Sequence, residues 1–289
     1  MMRDLSQGRE WLSINTATVR AQWSLEEIIE ALSRHQIPAL SPWRDQVAKC
    51  GLKKASSLVK GAGLKLSGYC RGGMFSSMDA AGQKAADDDN RRAVDEAAEL
   101  DSACLVLVVG GLPGALAGKA LSHDIGLARQ QVQDGIGRLL DYAKSCNMPL
   151  AIEPLHPMYA ADRACVNTLN QALDICDALD SNSSGALGVA VDVYHVWWDP
   201  ALEQAIARAG AARLLAFHVC DWLTPTRDLL NDRGMMGDGV IEIAKIRSWV
   251  EAAGFNGFAE VEIFSALDWW QRPGDEVLAT CIERYNSAV

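Results

Sequence analysis

Short apolar runs of strand length alternate with longer segments of helical period along the whole 289-residue sequence, and this alternation constrains the fold more than any other feature. Eight pairs are legible. Strands are expected at 11–16, 36–40, 63–68, 103–109, 148–153, 186–192, 213–219 and 257–263. Helices are expected at 24–34, 42–60, 88–100, 125–146, 167–180, 200–209, 241–253 and 274–287, with the acidic run Asp87-Asp88-Asp89-Asn90 read as a helix N-cap. Strands joined through helices run parallel with right-handed crossovers, and eight such units close most simply into an α/β (β/α)8 TIM barrel. A doubly wound nucleotide-binding sheet would carry a glycine-rich loop after its first strand, whereas INTATVRAQWS contains no glycine. No linker divides the chain, so residues 1–289 are expected to form one barrel domain.

Charge and cysteine usage narrow the function classes. Lys and Arg total 27 against 37 Asp and Glu, a net charge of -10 that opposes a phosphate backbone and argues against a nucleic-acid partner. The 8 cysteines are scattered, without a CxxC pair, and read as reduced thiols of a cytoplasmic protein. MMRDLSQGREWLSI lacks the apolar core of an export signal, and no run approaches the roughly 20 apolar residues of a membrane span.

Period-two alternation then assigns the faces of the last four strands. Leu150 and Ile152 face outward, leaving Ala151 and Glu153 inside; Val189 and Val191 leave Ala190 and Asp192 inside. Leu215, Phe217 and Val219 are assigned outward, with Ala216 and His218 inward. Ala259, Val261 and Ile263 leave Phe258, Glu260 and Glu262 inside. Glu153, Asp192, His218 and Glu262 thus project inward at the C-terminal ends of consecutive strands, where barrel enzymes build their active sites. Three carboxylates and an imidazole converging on one point call for a divalent cation. Their hardness favours Mn²⁺, with Mg²⁺, Co²⁺ or Zn²⁺ as alternatives. Glu260, one layer deeper, is expected to orient a ligand.

At these residues the chain resembles the sugar phosphate isomerase/epimerase group of xylose isomerase-like TIM barrels, in the AP endonuclease 2 superfamily, which includes ketose 3-epimerases and inosose-processing enzymes. LAIEPLHP resembles the group's strand-five segment and implies Glu153 as ligand and catalytic residue. VDVYHVWW resembles its D-x-x-H segment, implying Asp192 as ligand and His195 as a substrate contact. FHVCDW and NDRGMMGDGVIEI resemble the H-x-x-D segment and its Arg-plus-Gly loop, implying His218 as ligand and Arg233 as a contact to substrate rather than to the ion. GFNGFAEVEIF ends at the position of the second catalytic glutamate, Glu262. Tyr159 stands where ketose 3-epimerases carry a further Glu, which weighs against a free-ketohexose 3-epimerase.

Other candidates are less specific. His156 in EPLHPMYAADR either touches substrate or fixes its loop, and Arg71 in GYCRGG is either a hydroxyl or oxyanion contact or a surface ion pair. Gly237-Asp238-Gly239 suits either a phosphate or a helix entry, and one of the pairs Trp197-Trp198 and Trp269-Trp270 is expected to stack on a sugar. The expected activity is metal-dependent isomerisation or epimerisation of a keto or aldo sugar, a sugar phosphate or a polyol ketone. Proton transfer between Glu153 and Glu262 would pass through a metal-stabilised enediolate. A dehydratase or lyase using the same enediolate, with His156 or His195 as acid, is the alternative. The expected partner is a small carbohydrate, with homo-oligomers possible.

Overall fold

The computed structural model describes residues 3–6 and 8–289. The strands are β1 (Leu12–Asn15), β2 (Ala39–Ser41), β3 (Lys65–Leu66), β4 (Tyr69–Gly73), β5 (Leu105–Val108), β6 (Leu150–Ile152), β7 (Leu187–Asp192), β8 (Leu214–Val219), β9 (Asp221–Trp222), β10 (Arg233–Gly234) and β11 (Ala259–Val261). Nine of them form one parallel sheet in the order β3-β2-β1-β11-β8-β7-β6-β5-β4, while β9 and β10 make a small antiparallel ribbon. β3 pairs with β2 and β4 with β5, so the two are halves of one stave interrupted at Ser67 and Gly68. Isolated bridges from Trp43 to Cys70 and from Leu66 to Ser102 cross the interruption and close the sheet into a TIM barrel.

The helices outside it are α1 (Leu25–Arg34), α2 (Arg44–Cys50), α3 (Leu52–Gly61), α4 (Ala80–Glu99), α5 (Ile125–Ser145), α6 (Leu169–Leu179), α7 (Val193–Val196), α8 (Leu202–Arg213), α9 (Ile243–Ala252) and α10 (Gly274–Ala288). Their starts follow local chemistry. Ser24 with Glu27, and Thr168 with Gln171, form reciprocal capping boxes at α1 and α6. The helix expected over 42–60 is instead two, because Gly51 between them adopts φ +91°. The helix expected at 88–100 begins at Ala80, capped by Asp79, whose carboxylate accepts from Gly82 N at 2.7 Å. The acidic run is therefore not a cap. It lies inside α4 and pairs Asp87 with Arg138, Asp88 with Lys84 and Asp89 with Arg44. Among the described residues, no helix is long and apolar enough to cross a membrane.

Between sheet and helices lies the main apolar core, and a second, smaller cluster of Cys70, Cys104, Val106, Ala151, Ala190 and Ala216 fills the barrel interior. One assignment of facing fails. The β7–β8 register shifts between Val189 and Ala190, so Leu214 and Ala216 face consecutive partners and Leu215 is the extra residue of a bulge. Its side chain packs against the inner cluster, beside Gly188, where a Cβ would fall 2.8 Å from Leu215 Cγ. All 8 cysteines are free thiols. Small inner residues leave room for the polar layer above them, so Ala190→Leu should overpack the barrel and lower stability by roughly 1–3 kcal/mol. A urea-unfolding midpoint shifted at unchanged slope is the expected result.

Candidate functional site

Four backbone positions bring the inward polar groups together. Glu153 follows β6 and Glu262 follows β11, each held in line because its N–H donates to the neighbouring strand, to Leu107 O and Val219 O respectively, both at 3.1 Å. Asp192 ends β7 directly opposite His218 of β8, and the next strand places Glu260 opposite the same histidine. Glu153, Asp192, His218 and Glu262 are all buried, and each offers a ligating atom within 4.8 Å of the others.

Positive charge is wired into this acidic cluster. Arg233, at the start of β10, donates through Nη1 to Asp192 Oδ2 at 3.0 Å and to Glu262 Oε2 at 2.9 Å. Its Nη2 donates to His195 Nε2 at 3.1 Å, and its guanidinium lies 4.5 Å from the Tyr194 ring centroid. Burial works to raise Asp192, but Arg233, then His195 and His218, outweigh it and hold that carboxyl below its ordinary value. At Glu262 burial wins over Arg233, and the carboxyl is pushed up to about 8. Burial also pushes His195 down to about 3, and its Nε2 accepts from Arg233 Nη2. That imidazole is neutral. His218 goes the other way: burial opposes its charging, yet Glu260 and then the hydrogen bond to Glu153 hold it well above its ordinary value.

The donor set fits a hard divalent ion. His218 Nδ1 sits 2.9 Å from Glu153 Oε1, on the side of the carboxylates, while the buried Nε2 lacks a hydrogen bond and has Glu260 Oε1 at 3.6 Å. Such an imidazole can give Nδ1 to a cation and direct Nε2–H at a carboxylate. Glu260 is itself fixed by Asn15 Nδ2 at 2.8 Å and Ser67 Oγ at 2.7 Å.

A cavity of about 150 Å³ opens beside this cluster, well below the roughly 300–1,000 Å³ of pockets for drug-sized ligands. Glu153, His195, Arg233 and Glu262 line it, and so do Arg71, Tyr159 and Arg163. Its aromatic wall is Trp43 with Phe264, 5.5 Å apart and edge to face. Neither expected tryptophan pair lines it: Trp197 packs on Trp222, and Trp270 packs behind Phe264. His156 is also outside the cavity, held between Trp198 and Trp222 with its Nδ1 accepting from Met158 N, which is the loop-fixing role.

The loop after β8 is organised by the acidic residue of the H-x-x-D segment, to which the sequence alone assigned no role. Asp221 is fully buried and its carboxylate accepts from the backbone N–H of Trp222, Gly237, Gly239 and Ile241 at 2.8 to 3.0 Å. The N–H groups of Gly237 and Gly239 are thereby taken, so this Gly-Asp-Gly turn is no phosphate cradle. Tyr159 and Tyr194 both donate their hydroxyls to Leu229 O, tying the same loop across the barrel mouth. Trp43, Arg163 and Phe264 were likewise missed; each follows a strand on the functional face, a positional signal that needed the strand ends to be placed correctly.

Comparison with known proteins agrees with this architecture. Protein SMc04130 from Sinorhizobium meliloti 1021 is 58% identical, with a TM-score of 0.92 over 97% of this chain and 99% of that one. The IOLI protein with a bound zinc atom superposes with a TM-score of 0.79 at 18% identity, covering 94% of this chain and 95% of that one. D-psicose 3-epimerase from Clostridium cellulolyticum H10, solved with D-tagatose, gives 0.71 at 15% identity over 95% and 99%. No curated protein matches the chain. The family profile described as xylose isomerase-like TIM barrel matches residues 27–280, and the chain belongs to that family.

Proposed function

We propose that this protein is a metal-dependent isomerase or epimerase of a small keto or aldo sugar or polyol ketone. The observation that carries the reading is the convergence of Glu153, Asp192, His218 and Glu262 within 4.8 Å, with both glutamates on the cavity wall. These four residues would hold a divalent ion, Mn²⁺ by the hardness of the set, which when bound polarises a substrate carbonyl and favours loss of the adjacent proton. Glu153 and Glu262 are the proton carriers: one takes the α-proton and the other returns a proton to the neighbouring carbon or the opposite face. Arg233 holds Glu262 and Asp192 in place and turns its remaining N–H toward His195, so it orients the site from within instead of only reaching substrate from a loop. Trp43 and Phe264 offer an apolar wall for the C–H face of a sugar. Elimination is less well supported, because it needs an acid for the leaving group. His156 lies outside the cavity, and burial disfavours the charged form of His195.

Adding Mn²⁺ to metal-free protein should release protons. Below about 8 the Glu262 carboxyl carries a proton that must leave before it can ligate, and the raised His218 adds to this. Titration in weak buffer at pH 7 should detect up to about two protons per chain, fewer as pH rises past 8, and fewer in Glu262→Gln. A release independent of pH and of Glu262 would remove it from the ligand set.

The activity itself is tested by incubating metal-loaded protein with ketoses and aldoses in D₂O and following the α-proton by NMR. Glu153→Gln and Glu262→Gln should each lower turnover by at least about 10²-fold while still binding metal, more weakly. One of them should continue to exchange the α-proton without forming product, since the remaining glutamate still serves one side. Full turnover in both variants would refute the two-carboxylate mechanism.

A further inference from the structure

Three arginines reach the cavity, and they differ in what neutralises them. Arg233 is committed to Asp192 and Glu262. Arg71, on β4, is half-buried and has neither a hydrogen bond nor an ion pair among the described residues, leaving five N–H donors without a protein acceptor. The ion pair that would make Arg71 merely structural is not formed. The two carboxylates in the groove on its other side are engaged elsewhere, Asp45 with Arg20 and Asp89 with Arg44.

Beside Arg71 in the cavity wall stands Arg163, whose guanidinium lies 5.7 Å from the Tyr159 ring centroid and whose Nε approaches only its neighbour Asp162, at 3.8 Å. Burial first, and then Arg163, lower the Arg71 guanidinium from its ordinary value, so the two cations oppose each other's charge. Glu153 offsets Arg71 in part, but neither guanidinium forms an ion pair with a carboxylate lining the cavity, and Tyr159, Met74 and Leu155 bring no charge to this wall. In a chain of net charge -10, a pair of under-neutralised arginines facing one small cavity is a built feature and not a reflection of composition.

We infer that Arg71 and Arg163 form an oxyanion clamp, and that the substrate is a keto or aldo sugar derivative carrying a carboxylate or phosphate group. This rests on the proposed isomerase reading for the reacting end of the molecule and adds the identity of its other group. Guanidinium pairs suit such groups because their N–H forks match planar or tetrahedral oxyanions.

The test uses Mn²⁺-loaded protein and three probes: neutral D-fructose, D-fructose 6-phosphate and the carboxylate 5-keto-D-gluconate. Calorimetric titration should show one anionic probe bound at least about tenfold more tightly than D-fructose, the scale of one charge-assisted hydrogen bond. Whichever probe carries the preference identifies phosphate or carboxylate. The ratio should collapse toward one in Arg71→Met and in Arg163→Met, and Arg71→Lys should keep part of it. Should a Met variant fail to fold, the wild-type ratio decides: it should shrink as salt rises from about 0.05 M to about 0.5 M. A wild-type ratio near one for both anions, a ratio indifferent to salt, or one unchanged in folded Met variants overturns the clamp. Failure of the isomerase reading looks different, as an arginine-dependent preference for the anion with no α-proton exchange in D₂O on any probe.

Discussion

Three carboxylates packed within 4.8 Å of one another inside a barrel cannot stay charged without nearby cations, and much of the surrounding structure serves that requirement. Arg233 is the permanent answer. It bridges Asp192 and Glu262 from a loop, so the loop must be as well fixed as the strands. Asp221 supplies that rigidity by gathering four backbone N–H groups, and the Tyr159 and Tyr194 hydroxyls pin the far side at Leu229. His218 is the adjustable answer. Between Glu153 and Glu260 it holds a proton, and the same geometry lets it exchange that proton for a cation on its Nδ1 side.

The site's strand-borne part was legible in the sequence because side-chain direction in a strand is set by backbone geometry with a period of two. Glu153, Asp192, His218 and Glu262 each stand two residues beyond an inward position, and three of those deeper residues are the alanines of the inner cluster. The reading failed where the period itself breaks. Leu215 is displaced by a bulge, and the third stave is split so that YCRGG, which contains Arg71, is strand instead of loop. Neither irregularity has a local hydrophobic signature. The acidic run of α4 misled for a different reason: carboxylates do favour helix starts, but here Asp89 and Asp87 are paired from outside the helix by Arg44 and Arg138, partners distant in sequence.

Loop contacts were the least legible, since the path of an irregular segment depends on tertiary partners. Resemblance placed Arg233 near substrate, and it does line the cavity, but its bonds to two carboxylates follow from where Asp221 anchors the loop. The Gly237 and Gly239 N–H groups show the same dependence. A sequence sees two free donors, whereas the fold gives both to one buried aspartate.

This division of labour bears on how selectivity arises on such a scaffold. The clustered carboxylates sit at strand ends, where register fixes them and where a change of charge must be balanced by Arg233 or His218 at once. Arg71 and Arg163 sit on the bulged edge of β4 and on the loop after β6, and hydrogen-bond none of the four clustered residues. Substitutions there change the charge that the cavity presents to a ligand without removing a hydrogen bond from the clustered carboxylates. The charge lining the cavity can therefore change while the clustered carboxylates stay where the strands hold them, a separation that follows from the different physical constraints on strand ends and loops.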